Sequence, residues 1–501
     1  MKTEKGIENP RLAFITQHKY LGELEEVGVP VPLLLDKIFR DRTVGGLSHL
    51  GAAILCSQAR REGFEVDFFN ANDLIQHPDL RRELVTSIRD NPGILSCLSA
   101  MDINSGFISS LAGSLPPERT IVGGVGPTYA PELYSGEYAK AFGHMEGKRF
   151  SEILENFRTG TPLDPVYMTE NPKFSDNLED YPELDPTVSL LTDSNWLTSL
   201  FAPIEVGRGC HYSCDFCHTG RHIEKIRVKP LGIIDAQLKM FRDHVKLKWP
   251  FIVVYDQNLV TPYILPQYGR EYLLDLMSLF EKYNFYWAGE GTLGDIVEQD
   301  DRELLKKMGE RCLSILVGAE NLLGDMEGSD GKNRLNANFE TYVRTLKECK
   351  VPVMWSIIGG LDNQAVDYYP KMVETVRRLA LPAIIHKAVA RPGTSFYTDV
   401  RDEGRVLSDK ASDRDMKFHM AHKPKSMSAD DALGGHAFAH AQIFNPVEIA
   451  KRFCQHWKDV DFGYAVKSLT PEFHGAVITP RIVHTYRNEL KQFRKKLKNI
   501  E

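Results

Sequence analysis

The chain has 501 residues, room for two or three domains at roughly 150 residues each, and its hydrophobic share of 42% supports a sizeable core. A formal net charge of -7 argues against a nucleic-acid or acidic-membrane partner. No apolar run of about 18 residues occurs, so no membrane span is expected. Met1–Pro10 lacks the apolar stretch of a secretory signal, and 8 cysteines in 501 residues are too sparse for a disulfide framework, which implies a reducing cytoplasm.

The first part of the chain, 1–158, alternates strands and helices. Arg11–Thr16 is a short apolar run that fits a buried strand. Leu47–Arg61 has helical periodicity, with Gly63 at its stop, and Phe64–Phe69 reads as the second strand. Gly93–Ser99 is a third strand, before a helix starting near Asn104. Thr120–Gly124 is a fourth, ending in a glycine turn. Ala139–Phe142 is a fifth, before a helix through Phe157. This alternation predicts a parallel, doubly wound sheet that binds ligands beyond the carboxyl ends of its strands. The rim then comprises Thr16, Ser99, Gly123, Gly124 and the stretch from Gly143 to Glu146. His49, near the start of the first helix, is a surface or capping residue in one reading and a ligand contact in the other. Cys56, Cys97 and Cys312 lie in apolar runs and are expected in the core.

Residues 159–200 are rich in Pro, Asp, Asn, Ser and Thr and read as a linker. A short strand, Ala202–Val206, follows, ended by Gly207-Arg-Gly209. Then Cys210, Cys214 and Cys217 fall on a loop in a C-x3-C-x2-C spacing, with an aromatic, Phe216, before the last. Iron–sulfur clusters are usually held by four thiolates. Three close together leave one iron open to a substrate or cofactor, which points to chemistry rather than electron storage. Structural zinc wants four closed ligands, and only His211 or His218 could supply a fourth locally.

Alternation resumes over 201–400. Strands are expected at Phe251–Asp256, Phe285–Gly289, Leu313–Gly318, Val353–Gly360 and Ala383–Ala388, with helices between them, among them Glu271–Tyr283 and Asp301–Met308. With Ala202–Val206 these make six strand–helix units, the number in the partial barrel of the family that the cysteine loop resembles, and the strand ends of a barrel face the active site. Asp256, Gln257, Asn258, Glu290, Gly318, Glu320, Gly359 and Gly360 occupy such ends. Tyr255, Trp287 and Trp355 read as core or as pocket wall, with nothing to separate the two.

The last stretch, 401–501, carries polar helical signals. His419/His422 and His436/His440 have spacings that would put each pair on one helical face. Gly434-Gly435 interrupts the helical pattern just before the second pair, and surface or substrate-pocket histidines are expected rather than a metal site. Cys454 could approach the cluster or a substrate. Arg487–Lys498 reads as an amphipathic helix. The region is expected to cap the barrel mouth and set substrate choice.

The cysteine loop resembles the signature of the radical S-adenosylmethionine (radical SAM) superfamily, C-x3-C-x-aromatic-C after the first strand of a β/α barrel. The resemblance implies a 4Fe-4S cluster on Cys210, Cys214 and Cys217, whose open iron chelates the amino and carboxylate groups of SAM. It further implies that Phe216 meets the adenine through its backbone, that Gly318-Ala-Glu320 is the family's G-x-E near the SAM ribose, and that Gly359-Gly360 lets backbone approach SAM. The first domain resembles the cobalamin-binding domain of one large class of these enzymes, on Leu50-Gly51, Gly63–Val66, Val122-Gly-Gly124 with Pro127, and Glu146-Gly147. Cobalamin would then meet Ser99, Gly123, Gly124, Gly143 and Glu146, and His49 could reach a corrin face. The D-x-H-x-x-G that supplies a lower cobalt ligand is absent from this domain, so the domain either binds cobalamin without it or is a vestigial Rossmann-like fold. The implied activity is methyl transfer to an unactivated carbon of a small molecule or natural-product precursor, through an adenosyl radical and methylcobalamin, with flavodoxin or ferredoxin as reductant. Two alternatives stay open: a radical SAM cyclase or rearranging enzyme that does not methylate, and a noncatalytic iron–sulfur or zinc protein. The substrate and the catalytic residues are not readable.

Overall fold

The computed structural model describes residues 7, 9–16, 50–101, 105–168, 202–218, 226–244, 250–323, 338–407 and 419–498. His49, residues 102–104 and most of the expected linker lie outside them. The chain divides into two compact units: Met1–Ile204 with His222–Pro250 and Ala411–Asp413, and Glu205–Arg221 with Phe251–Lys410 and Arg414–Glu501.

In the first unit, β1 (Arg11–Thr16) is followed by α1 (Leu50–Arg61), β2 (Glu65–Asn70), α2 (Ala71–Gln76), α3 (Pro78–Asp90) and β3 (Ile94–Ser99). Then come α4 (Ser105–Gly113), β4 (Thr120–Gly123), α5 (Val125–Tyr129), β5 (Ala139–Phe142), α6 (Lys148–Thr159) and β6 (Val166–Met168). The strands are parallel, in the order β2-β1-β3-β4-β5-β6. Side chains alternate across a strand, and β1 shows the result. Leu12 and Phe14 join a core with Cys56 and Ala59 of α1 and Phe150 and Ile153 of α6. Ala13 and Ile15 join a second core with Ile88 of α3 and Ile108 and Leu111 of α4. Both faces are therefore covered, which is why the strands read as continuous apolar runs. The sequence reading placed five of these strands. It missed α2, α3 and the edge strand β6, although Pro78 at the start of α3 is a usable signal.

The short elements β7 (Ala202–Ile204), β8 (Gly207–Arg208), β9 (Arg227–Val228) and α7 (Leu231–His244) follow. The expected first barrel strand is realised as β7. The second unit then runs β10 (Phe251–Val254), α8 (Gly269–Lys282), β11 (Tyr286–Glu290), α9 (Gly294–Glu298), α10 (Arg302–Arg311), β12 (Cys312–Glu320), α11 (Phe339–Glu348), β13 (Val353–Gly359), α12 (Tyr368–Arg378), β14 (Ala383–Lys387) and α13 (Ser395–Asp402). Strands β14, β13, β12, β11 and β10 lie side by side in that order, all parallel. Parallel strands joined by helices are the construction of a β/α barrel. Trp287, Ile315, Val317 and Ile357 are fully buried in the core of this unit, and Trp355 nearly so. The two tryptophans are therefore core residues: Trp287 packs on Phe280, and Trp355 packs edge-on to Phe339 and Tyr342.

Four helices complete the unit: α14 (Ala429–Ile443), α15 (Pro446–Asp459), α16 (Phe462–Thr485) and α17 (Arg487–Leu497). The first three start at capping side chains. Ser428, Asn445 and Asp461 accept from the amides of Asp431, Glu448 and Tyr464. The expected interruption at Gly434-Gly435 is overturned, because α14 runs straight through it. A Cβ on Gly434 would lie 2.6 Å from the Glu489 carbonyl oxygen of α17, and one on Gly435 would enter the Tyr369 ring of α12. These glycines exist for close helix packing, and that packing outweighs their poor helix propensity of about 1 kcal/mol each.

Candidate cluster and cofactor sites

The three cysteines occupy the loop that leaves β8, and the chain fixes that loop from several sides. Asp256, just past β10 and only 3% exposed, grips its entrance. The amides of Val206 and Gly207 donate to the two carboxylate oxygens at 2.7 and 2.8 Å. The Gly209 amide donates to Gln257 Oε1 at 3.0 Å. Arg208 pairs with Glu205 at 2.9 Å, both largely buried. Further along, Ser395 Oγ donates to Asp215 Oδ1 at 3.0 Å, and the Phe396 amide donates to the Asp215 carbonyl at 3.1 Å. Within the loop, the Cys217 amide donates to the Cys214 carbonyl at 3.1 Å. Cys214 is buried, Cys210 and Cys217 are partly exposed, and none is in a disulfide.

Both local histidines have other neighbours. His211 Nε2 lies 3.5 Å from Asp295 Oδ2, and His218 Nε2 lies 2.7 Å from the Pro392 carbonyl oxygen. Among the described residues no three His, Cys, Asp or Glu side chains converge on one point as ligands of a single ion. A single zinc holds its sulfurs at about 2.3 Å. A cubane takes its thiolates at different irons, so its ligands stand further apart. Three cysteines outside any disulfide on one anchored loop are a donor set that fits a cluster.

The ends of β12, β13 and β14 gather the residues expected at SAM. Phe216 packs against Ile358, Leu361 and Ala388, so its side chain lies on the strand ends and leaves its backbone as the part that can meet a ligand. The register between β12 and β13 slips between Gly318 and Glu320. Glu320 is 8% exposed and sits at φ +49°, a costly conformation for a non-glycine residue. Gly359 has a packing reason of its own, since a Cβ there would lie 2.8 Å from the Tyr369 ring. Gln364 fixes the turn that follows. Its Oε1 accepts from the Gly360 amide at 2.8 Å, and its Nε2 donates to the Ile358 carbonyl at 2.9 Å.

Two other strand-end residues build the scaffold. Asn258 Oδ1 accepts from the amides of Thr292 at 3.0 Å and Val260 at 3.3 Å. Glu290 is exposed, and its carbonyl accepts from the Leu259 amide at 2.9 Å. Asp256 and Asn258 thus shape loops with the atoms that were expected to face the mouth. Sequence reasoning missed Gln364, the Asp215–Ser395 tie and the loop-gripping role of Asp256. No local pattern distinguishes a polar residue that folds back on its own turn from one that faces solvent.

In the first unit the rim residues converge on the strand order. The strand order reverses between β1 and β3, and such a switch point is where doubly wound folds bind ligands. Ser99 ends β3 there. The loops after β3 and β4 interlock: the Ala100 amide donates to the Gly123 carbonyl at 2.8 Å, and the Gly126 amide donates to the Ala100 carbonyl at 2.9 Å. Gly124 sits at φ +104°, and a Cβ on it would lie 2.7 Å from the Ala100 oxygen, so only glycine permits this approach. The Gly143 amide donates to Thr128 Oγ1 at 2.9 Å, joining the loop after β5 to α5. Glu146 is half-buried beside Gly147, whose amide donates to Gln58 Oε1 at 2.8 Å. Ser99, Gly123, Gly124, Gly143 and Glu146 therefore line one edge of one sheet, a cradle of close backbone approach.

The C-terminal histidines are mostly not on the surface. Of the two expected pairs, His422, His436 and His440 are buried and His419 is exposed. His419 and His422 are not on a helix. His436 and His440 stand one turn apart on α14 with ring centroids 4.6 Å apart, and His440 Nδ1 lies 3.2 Å from Thr479 Oγ1. Burial pushes the His422 imidazole down to about 4, with Asp362 and Arg405 acting in opposite directions on it. Lys387, at the carboxyl end of β14, donates to the Tyr486 hydroxyl at 3.1 Å, and burial lowers its ammonium to about 8. Cys454 is exposed on α15.

No protein-family profile matches the chain. The bacteriochlorophyllide d C-8(2)-methyltransferase of Chlorobaculum tepidum is 23% identical over 216 residues, 41% of this chain, and the match spans only 45% of that protein. Among solved structures, the cobalamin-dependent S-adenosylmethionine radical enzyme OxsB, with aqua-cobalamin and S-adenosylmethionine bound, superposes with a TM-score of 0.61 at 12% identity, over 97% of this chain and 84% of that one. The radical S-adenosylmethionine methyltransferase TsrM from Kitasatospora setae, with cobalamin and a [4Fe-4S] cluster bound, gives 0.58 at 11% identity, over 88% and 90%. The chain therefore has the fold of cobalamin-dependent radical SAM enzymes across nearly its whole length: a Rossmann-like domain, a barrel and C-terminal helices.

Proposed function

We propose that the chain is a cobalamin-dependent radical SAM methyltransferase acting on an unactivated carbon of a small molecule or natural-product precursor. The observation that carries this reading is the anchored Cys210–Cys217 loop, whose three cysteines stand outside any disulfide, in a chain that also holds a doubly wound unit. The likeness to OxsB and TsrM supports both halves together, and the Chlorobaculum tepidum relative supports methyl transfer.

When bound, the cluster and SAM supply reductive cleavage of a sulfonium bond, and cobalamin supplies a transferable methyl group. The protein's part is to hold and orient. Cys210, Cys214 and Cys217 would hold the cluster on a loop fixed by Asp256, Gln257 and Ser395. Phe216, Gly318, Glu320, Gly359 and Gly360 would line SAM. Ser99, Gly123, Gly124, Gly143 and Glu146 would take cobalamin at the switch point. A small reductant such as flavodoxin or ferredoxin would deliver the electron. Among the described residues no helix is long and apolar enough to cross a membrane.

A second reading keeps the radical and drops the methyl group. The wider of the two structural matches, OxsB, is described as a radical enzyme and not as a methyltransferase. The test is cofactor content after anaerobic reconstitution. About four irons per chain with stoichiometric cobalamin, and loss of iron in Cys214→Ala, are expected. Label from S-adenosylmethionine carrying a marked methyl group then separates methylation from other radical chemistry. Iron retained without cobalamin would sink the two-cofactor reading.

A further inference from the structure

We infer that Gln364 is a positioning residue for S-adenosylmethionine, holding the turns after β12 and β13 at a fixed separation. This rests on reading the barrel as a radical SAM site.

Gln364 is 2% exposed and lies four residues past Gly360. A side-chain amide offers an acceptor oxygen with two lone pairs and two donor hydrogens. Here all four are engaged. Oε1 accepts from the amides of Gly360 at 2.8 Å and Leu361 at 3.1 Å. Nε2 donates to the Ile358 carbonyl at 2.9 Å and to Asn321 Oδ1 at 3.3 Å. The first three bonds shape the turn after β13, where Gly360 sits at φ +91°. The fourth crosses to the turn after β12. There Asn321 follows Glu320, the strained residue at the register slip. Strain of that kind persists only where its surroundings over-determine the backbone, and Gln364 is one of the groups that do so.

The consequence reaches the ligand. With the Gly360 and Leu361 amides already donating to Gln364, that turn offers a cofactor its carbonyl oxygens and its surface, not those two N–H groups. Ile358 and Leu361 also support Phe216. A shift of the turn therefore moves the Phe216 wall and the Glu320 side in one step.

The test uses the whole chain, reconstituted anaerobically with iron and sulfide. S-adenosylmethionine itself is the probe, and its affinity is read from the change it makes in the electron paramagnetic resonance signal of the reduced cluster. Gln364→Glu keeps the acceptor oxygen and loses both donor hydrogens, whereas Gln364→Met loses every bond at similar volume. The expected result is a graded weakening of SAM affinity, about threefold for Gln364→Glu and about tenfold or more for Gln364→Met, with iron content near that of the wild type. Asn321→Ala should weaken binding as well, and the Gln364→Met/Asn321→Ala double variant should lose less than the sum of the two, because both break one bond. A merely structural role would lower the melting temperature and leave the affinity of the folded, iron-loaded fraction unchanged. Wild-type affinity in iron-loaded Gln364→Met would overturn the inference. Should that variant fail to fold or to hold iron, wild-type affinity in Asn321→Ala overturns it instead. A wild-type cluster whose signal ignores SAM would overturn the radical SAM reading itself, a result distinct from either.

Discussion

Asp256 shows how one carboxylate can decide whether a metal loop exists. An ionised carboxylate is acceptor-only, and both oxygens of Asp256 are spent on consecutive amides at the mouth of the cysteine loop. Bonds to a charged group are worth about 1.5–3 kcal/mol each, more than neutral ones. In Asp256→Asn one oxygen becomes an NH2 group that faces an N–H, so one bond is lost and a donor is left opposed to a donor. The expected outcome is a chain that folds but retains roughly half the wild-type iron or less after reconstitution, read by iron analysis and cluster absorbance. Full iron loading would show that the loop holds its shape without this grip. At this scale the sequence was half legible. The cysteines announce themselves because spacing is their chemistry. Asp256, Asn258 and Gln364 do not, because a polar residue at a strand end looks the same whether it faces a ligand or bonds back to its own loop.

At the scale of elements, period and composition carried far. Apart from the exposed edge strand β6, the strands of both sheets were visible as apolar runs, since parallel strands covered on both faces have no polar side to confuse the reading. The misreadings fell where tertiary packing overrides local propensity. Gly434-Gly435 reads as a helix break, yet α14 passes through it. The missing side chains let α17 and the Tyr369 ring approach, and Tyr369 donates from its hydroxyl to the Ala432 carbonyl at 3.0 Å. Burial of the histidines on this helix was missed for the same reason. A methyl group at Gly435 has nowhere to go unless Tyr369 moves, and Tyr369 is itself fully buried against Phe493. Gly435→Ala should therefore destabilise the second unit by about 1–3 kcal/mol, the usual cost of overpacking, despite alanine's better helix propensity. Chemical denaturation measures it, and a stabilised variant would mean that the α12–α14 contact is looser than this packing requires.

At the scale of the molecule, two sites are built from different material. The proposed cluster loop depends on side chains, three cysteines and the carboxylate and amides that pin them. The rim of the first unit depends on backbone, with Gly124 brought so close to Ala100 that any side chain must push the loop after β3 away. Damage to one need not reach the other, so the sites should separate cleanly by mutation. Cys214→Ala removes one of the three proposed cluster ligands and changes no residue of the first sheet, and is expected to lose iron while retaining cobalamin after removal of excess hydroxocobalamin. Gly124→Val places a branched side chain where even a Cβ has a backbone oxygen at 2.7 Å, and is expected to keep its iron while cobalamin retention falls about tenfold or more, as a displaced rim would require. Both quantities come from one sample, iron by analysis and cobalamin by absorbance. If Gly124→Val binds cobalamin as the wild type does, the corrin does not lie on the β3–β4 rim. If the wild type binds none, the first unit has kept the cradle and lost its ligand, and the chemistry of the chain must be sought in SAM and the cluster alone.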